Sequence, residues 1–175
     1  MKCAVLCVAA RSVYKTFDDV ECFDRVRGAE SFQGGMPVVT HAPCRAWSAR
    51  CAHQSKPGPG EKDLAFVCAQ KLRECGGVFE HPAFSRAFLA CGLPLPGVRI
   101  GDLWTIEVCQ CWWGFPTLKR TWLCFAGIEP KQVFLPLRLH GAGGDRRREQ
   151  LQSRAQRSAT PVEFARWLVA LARLV

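Results

Sequence analysis

The stretch PVVTHAPCRAWS, Pro37 to Ser48, decides how the rest of the chain is read. It opens with a short apolar run, Pro37 to His41, that lacks the alternation of a half-exposed strand. Such a run suits a strand buried on both faces of a sheet. The residues that follow place Pro43, Cys44 and Arg45 in the loop leaving that strand's carboxyl end. In a parallel sheet this is where ligands bind, so Cys44 stands where a nucleophile belongs. A cation beside it, Arg45 or His41, would lower the thiol pKa and raise the thiolate fraction.

Working outward, similar apolar runs mark strands at Ala4 to Ala9, Val20 to Phe23, Gly77 to Glu80, Thr105 to Cys109 and Thr121 to Ala126. Helical patterns lie between and after them. After the turn KPGPG, the segment EKDLAFVCAQKLREC offers Leu64, Phe66, Val67, Cys68 and Leu72 as one face, with Gly76 and Gly77 ending the helix. A short helix is predicted from Ser85 to Cys91, between Pro82 and GLPLPG. In TPVEFARWLVALARLV, Thr160 reads as an N-cap, Pro161 as the first helical residue and Glu163 as the partner in a capping box. Phe164, Leu168, Leu171 and Val175 form its apolar stripe. Alternating strands and helices imply an α/β domain with a mostly parallel sheet flanked by helices.

At 175 residues the chain is one domain, 1–175, with a basic loop at about 138–158 and a C-terminal helix at 161–175. Hydrophobic residues make up 49% and charged ones 22%, enough for a buried core and too apolar for disorder. The net charge is +9, and the stretch from Arg138 onward, with eight arginines against three acids, carries five of those charges. A polyanion is the partner this implies; a basic solvated surface is the plainer reading.

Eleven cysteines is an odd number, and most lie in apolar runs such as CAVLCVAA and EVCQC. This points to small buried hydrophobes in a reducing cytoplasm rather than a secreted disulfide framework. No CxxC pair occurs, so no metal site is expected. The N-terminal apolar run ends at Arg11 and is too short to span a membrane.

The strand ending in Glu80, His81 and Pro82 matters next. If it neighbours the Cys44 strand, Glu80 faces the same crevice, where it could hold a base edge or act as an acid. Pairing with Arg45 or Arg86 is the structural alternative. Trp112 and Trp113 are either partly core or a stacking surface for bases. The Arg146 to Arg148 run is either a solvated loop or a phosphate contact.

Four segments, in order, resemble the DNA cytosine-C5 methyltransferases. PCRAWS resembles their catalytic Pro-Cys-Gln-x-Phe-Ser loop, and Glu80, His81 and Pro82 resemble their Glu-Asn-Val strand end at about the expected separation. GFPTLKRTWLCFAG resembles a Gly-Val-Pro-Gln segment that leads through arginines into a strand. RSATPVEFARWL resembles an Arg-x-x-Thr-x-Arg-Glu-x-Ala-Arg helix start. Together they span roughly Val38 to Leu168, and the chain is similar to small phage or prophage proteins carrying the Pro-Cys and Glu-His-Pro elements.

The resemblance implies a Rossmann-like methyltransferase-type sheet and a cytosine-directed modification of DNA, or of a cytosine nucleotide. Cys44 would add to C6 of a cytosine flipped from its stack while Glu80 holds the ring nitrogen and the exocyclic amine. Arg45, His81, Lys119, Arg120 and Arg157 fall where that family contacts substrate or supports the active-site loop. S-adenosylmethionine is the implied cofactor, and Asp24 would meet its ribose; capping a turn or pairing with Arg25 or Arg27 is Asp24's other reading. The sequence also departs from the pattern. RSVYKTF follows the first strand where the family has Phe-x-Gly-x-Gly, and Arg45, His81 and Thr117 replace Gln, Asn and Gln. The alternative is therefore a catalytically inactive DNA-binding or regulatory module of the same fold.

Overall fold

A computed structural model describes residues 1–48, 56–136 and 153–175. Most of the basic loop predicted at about 138–158, including Arg146 to Arg148, lies outside the described residues. The strands are β1 (Cys3–Val8), β2 (Val20–Asp24), β3 (Val38–Thr40), β4 (Gly77–Pro82), β5 (Arg99–Ile100), β6 (Leu103–Cys109) and β7 (Arg120–Ala126). The helices are α1 (Leu64–Cys75), α2 (Ala87–Ala90), α3 (Arg154–Ser158) and α4 (Val162–Ala172). All seven strands form one sheet in the order β2-β1-β3-β4-β7-β6-β5.

The α/β class holds, but the sheet is mixed rather than mostly parallel. β2, β1, β3 and β4 run parallel, whereas β7 is antiparallel to β4, β6 to β7 and β5 to β6. The reason lies in the connections. β3 and β4 are bridged by α1, while β6 reaches β7 through a 3-10 turn and a loop with no crossover helix, and such a connection reverses the chain.

Each face of the sheet has its own core. α1 and α2 cover one face, with Cys68, Leu72 and Phe88 packed on Leu6, Phe79 and Cys124. α4 covers the other, with Phe164, Leu168 and Leu171 packed on Val5, Val39, Val78 and Phe125. The predicted α1 face is corrected. Its buried residues are Ala65, Cys68, Ala69 and Leu72, at i, i+3, i+4 and i+7, and Phe66 is 44% exposed, edge-on to Trp47. The two alanines let the helix lie close to the sheet.

The start of α4 is also corrected. Pro161 occupies the N-cap position and, among the described residues, no side chain caps the helix, so the Thr160–Glu163 box does not form. Phe164, Leu168 and Leu171 are buried as expected, while Val175 is 47% exposed. At the end of α1, Gly76 closes the helix with φ +70 and donates its N–H to the Leu72 carbonyl. A Cβ on Gly77 would stand 2.0 Å from the Val38 carbonyl oxygen, so only glycine lets β4 approach β3 there. Among the described residues, no helix is long and apolar enough to cross a membrane.

Candidate functional site

Because β1 to β4 are parallel, their carboxyl ends share one edge of the sheet. Thr40 pairs with Phe79, so the next residues along, His41 and Glu80, stand opposite each other. Both lie on the face covered by α4. His41 Nδ1 donates to Glu80 Oε2 at 2.8 Å, and His41 Nε2 meets the Tyr14 hydroxyl at 2.9 Å. From the antiparallel half, Gln110 Nε2 donates to Glu80 Oε1 and to Thr121 Oγ1, each at 3.1 Å. A chain from Tyr14 through His41, Glu80 and Gln110 to Thr121 thus joins both halves of the sheet.

Glu80 is buried, and burial raises its pKa. The hydrogen bond from His41, with the fields of His41 and Lys119, outweighs this and holds the carboxyl below its ordinary value. Glu80 is therefore an ionised, fully bonded carboxylate. Tyr14 goes the other way: burial first, then the Glu80 charge, push its phenol well above the ordinary value, so it acts only as a hydrogen-bonding hydroxyl.

Cys44 follows Pro43 at the exit of β3, with its thiol exposed. The loop around it is clamped, since Trp47 is buried, its N–H bonds the Cys44 carbonyl at 3.1 Å, and its own carbonyl accepts from Arg86 N–H at 3.0 Å. Lys119 links the two candidate groups electrostatically. Burial pushes the ammonium pKa down, and negative charge on Glu80 and on Cys44 opposes that shift. Its Nζ donates to the Ala159 carbonyl at 2.8 Å and sits 4.8 Å from the Phe115 ring centre.

The remaining predicted residues divide. Arg45 forks onto Glu61, with Nε to Oε1 at 2.8 Å and Nη2 to Oε2 at 2.5 Å; Glu61 raises the guanidinium pKa, and a Cys44 charge adds a smaller contribution. Arg120 is exposed and bonded through Nε to Glu107 at 2.6 Å. Arg157 is exposed on α3, two residues before the carbonyl that holds Lys119. His81 is not on the same side as Glu80. It is fully buried, stacked on Phe79 with 5.8 Å between ring centres, and among the described residues neither ring nitrogen makes a well-formed hydrogen bond. Burial lowers its pKa to about 4, so the ring is neutral at pH 7. It lies against the Ala42 and Pro43 backbone and so supports the Cys44 loop from beneath.

Asp24 ends β2. Its Oδ1 accepts the N–H groups of Val26 and Arg27 at 2.9 and 3.1 Å, and its Oδ2 is paired with Lys15. The Lys15 hydrogen bond, then the two backbone bonds, lower its pKa to about 2. It caps a turn, with Lys15 as its ion partner rather than Arg25 or Arg27. It also lines a cavity of about 530 Å³ at the ends of β1 to β3, whose walls include Cys7, Gly28, His41, Arg45 and Glu61. That volume suits a small organic ligand. Among the described residues, no group of three or more His, Cys, Asp or Glu side chains is placed to hold a metal ion.

The sequence reading missed Tyr14 and Gln110, and it weighed His41 only as a neighbour of Cys44. No protein-family model matches the sequence, and neither a curated protein nor a solved structure matches the chain.

Proposed function

We propose that the chain modifies cytosine in DNA at C5 through a covalent adduct on Cys44, in a reduced, Rossmann-like methyltransferase type of domain. One observation carries the reading: the parallel pairing of β3 and β4 brings the loop that carries exposed Cys44 out beside the strand that carries ionised Glu80, with Lys119 in the field of both. In this reading the Cys44 thiolate bonds to C6 of an extruded cytosine, and the electron pair of the C5–C6 bond moves toward N3. N3 takes up a proton that comes from solvent and is relayed by the His41–Glu80 pair, and C5 becomes the nucleophile; once C5 is substituted, loss of its proton expels the Cys44 thiolate and restores the C5–C6 double bond. Lys119 favours the thiolate before attack.

S-adenosylmethionine, the donor the resemblance implies, would supply an electrophilic methyl group to C5. The cavity at the ends of β1 to β3 has room for a small organic ligand, but both Asp24 oxygens are already engaged and no glycine follows β1. These residues fit the cofactor poorly, and the reading does not depend on it. The same Cys44 adduct serves C5 chemistry with another one-carbon donor.

A second reading, a DNA-binding module without chemistry, is favoured by one fact: both Glu80 oxygens are occupied, by His41 and by Gln110. Incubation with DNA containing 5-fluorocytosine, with and without S-adenosylmethionine, separates the two by intact mass. The expected result is an adduct on the wild type and none on Cys44→Ala. An adduct needing the cofactor identifies methyl transfer, and one formed without it identifies a different C5 chemistry. DNA binding with no adduct on the wild type would leave the binding module as the answer.

A further inference from the structure

Four residues beyond Glu80 stands Phe84, with a backbone φ of +64 and 54% of its surface exposed. Left-handed backbone is strained for a bulky side chain, and an exposed aromatic ring gains nothing from core burial that would offset the strain. The surroundings hold the conformation in place. Ala83 N–H bonds the Arg120 carbonyl at 3.0 Å, Ser85 N–H bonds the Pro82 carbonyl at 3.2 Å, and Arg86 N–H bonds Trp47, three residues past Cys44. The turn that presents Phe84 is thus tied directly to the loop that presents Cys44.

The ring does not stand alone. The Arg120 guanidinium lies 4.7 Å from its centre, and the Trp122 ring is tilted against it at 5.3 Å. Glu107 fixes this cluster from behind, bonding Arg120 Nε at 2.6 Å and accepting from Trp122 Nε1 at 2.9 Å. Arg86, exposed on the same turn, has no ion pair among the described residues. A π surface backed by a cation and flanked by a second cation matches the two parts of a nucleotide, a flat base and a phosphate.

We propose that Phe84, steadied by Arg120 and Trp122, is the stacking platform for a base adjoining the cytosine presented to Cys44, so that the site takes single-stranded or locally opened DNA. The inference rests on the DNA reading above. Phe84 is a positioning residue, since it touches the neighbour of the reacting base and not the reacting atoms.

The test uses a fluorescein-labelled, cytosine-containing single-stranded oligodeoxynucleotide, and a second one carrying 2-aminopurine beside the cytosine. Phe84→Ala is expected to weaken single-strand binding about tenfold and to leave the salt dependence unchanged, because a stack and not a phosphate contact is lost. Phe84→Trp should restore affinity, and 2-aminopurine fluorescence should be quenched by the wild type and by Phe84→Trp but not by Phe84→Ala. Phe84→Gly removes the ring and also relieves the left-handed backbone, so it reports on stacking even if Phe84→Ala folds badly. Unchanged affinity in both truncations, with unquenched 2-aminopurine on the bound wild type, overturns this inference and leaves the Cys44 adduct to be judged by mass. Failure of the wild type to bind any oligonucleotide overturns both.

Discussion

Glu80 and His81 are adjacent in β4 and both buried, yet one keeps its charge and the other does not. Glu80 faces α4 and has both oxygens hydrogen-bonded, so its charge is retained inside the protein. His81 faces α1 and α2, lies against the Ala42 and Pro43 backbone without a well-formed hydrogen bond among the described residues, and stays neutral against an aromatic ring. A strand alternates its side chains, so one residue step exchanges a polar network for an apolar stack. Burial alone therefore says little about a titratable group; the partners on its side of the sheet decide whether it keeps its charge.

The largest effect that would break this contrast comes from Glu80→Ala. It leaves two donors, the His41 ring N–H and the Gln110 amide, without an acceptor, at about 1–3 kcal/mol each, so urea unfolding is expected to show a loss of about 3–5 kcal/mol. Glu80→Gln, whose carbonyl still accepts one of the two bonds, should lose less. If Glu80→Ala matched the wild type, the network would not be what holds the carboxylate.

The next effect is a pH dependence from His81. Its folded pKa is about 4 against an ordinary 6.5, so between those values the unfolded chain binds a proton that the native ring refuses. Stability should fall by about 3 kcal/mol as pH drops through that window and be flat above it. His81→Phe, which keeps the stack on Phe79 and removes the titration, should abolish the slope. Glu80 sharpens the contrast, because its depressed pKa means that its contribution is present above the unfolded value and is lost only as pH falls through the folded one.

Lys15→Ala should give the smallest change. The Lys15–Asp24 pair is exposed, so its melting temperature should stay close to that of the wild type, with the residual difference shrinking in high salt. Asp24 loses its share of stability only as pH falls toward 2.

Six of the seven strands were legible as apolar runs. β5 was not, because Arg99 and Ile100 are both exposed and two residues carry no period. Strand direction was not legible either, although the missing crossover helix between β6 and β7 was a usable sign. Large apolar residues in α1 drew the reading toward Phe66 and Val67, whereas the helix face in contact with the sheet is built on Ala65 and Ala69. At the site, the order of Cys44 and Glu80 along two apolar runs was readable, but the adjacency of β3 and β4 needed the sheet. The contributions of Tyr14 and Gln110 come from distant segments whose local pattern gives no sign of a shared carboxylate. Tyr14 had one signal that was passed over: it is the only tyrosine in the chain.

An open sheet has two borders, and unpaired backbone at a border invites a second sheet to join it. Here one border is β5, two residues long, with Arg99 forked onto Glu129. The other is β2, where Arg27 covers the Phe23 ring and pairs with Glu21, and Lys15 pairs with Asp24. β5 itself is too short to template another strand, and charge guards β2, so neither of these two strands presents the long, flat, apolar run along which proteins zip together into aggregates.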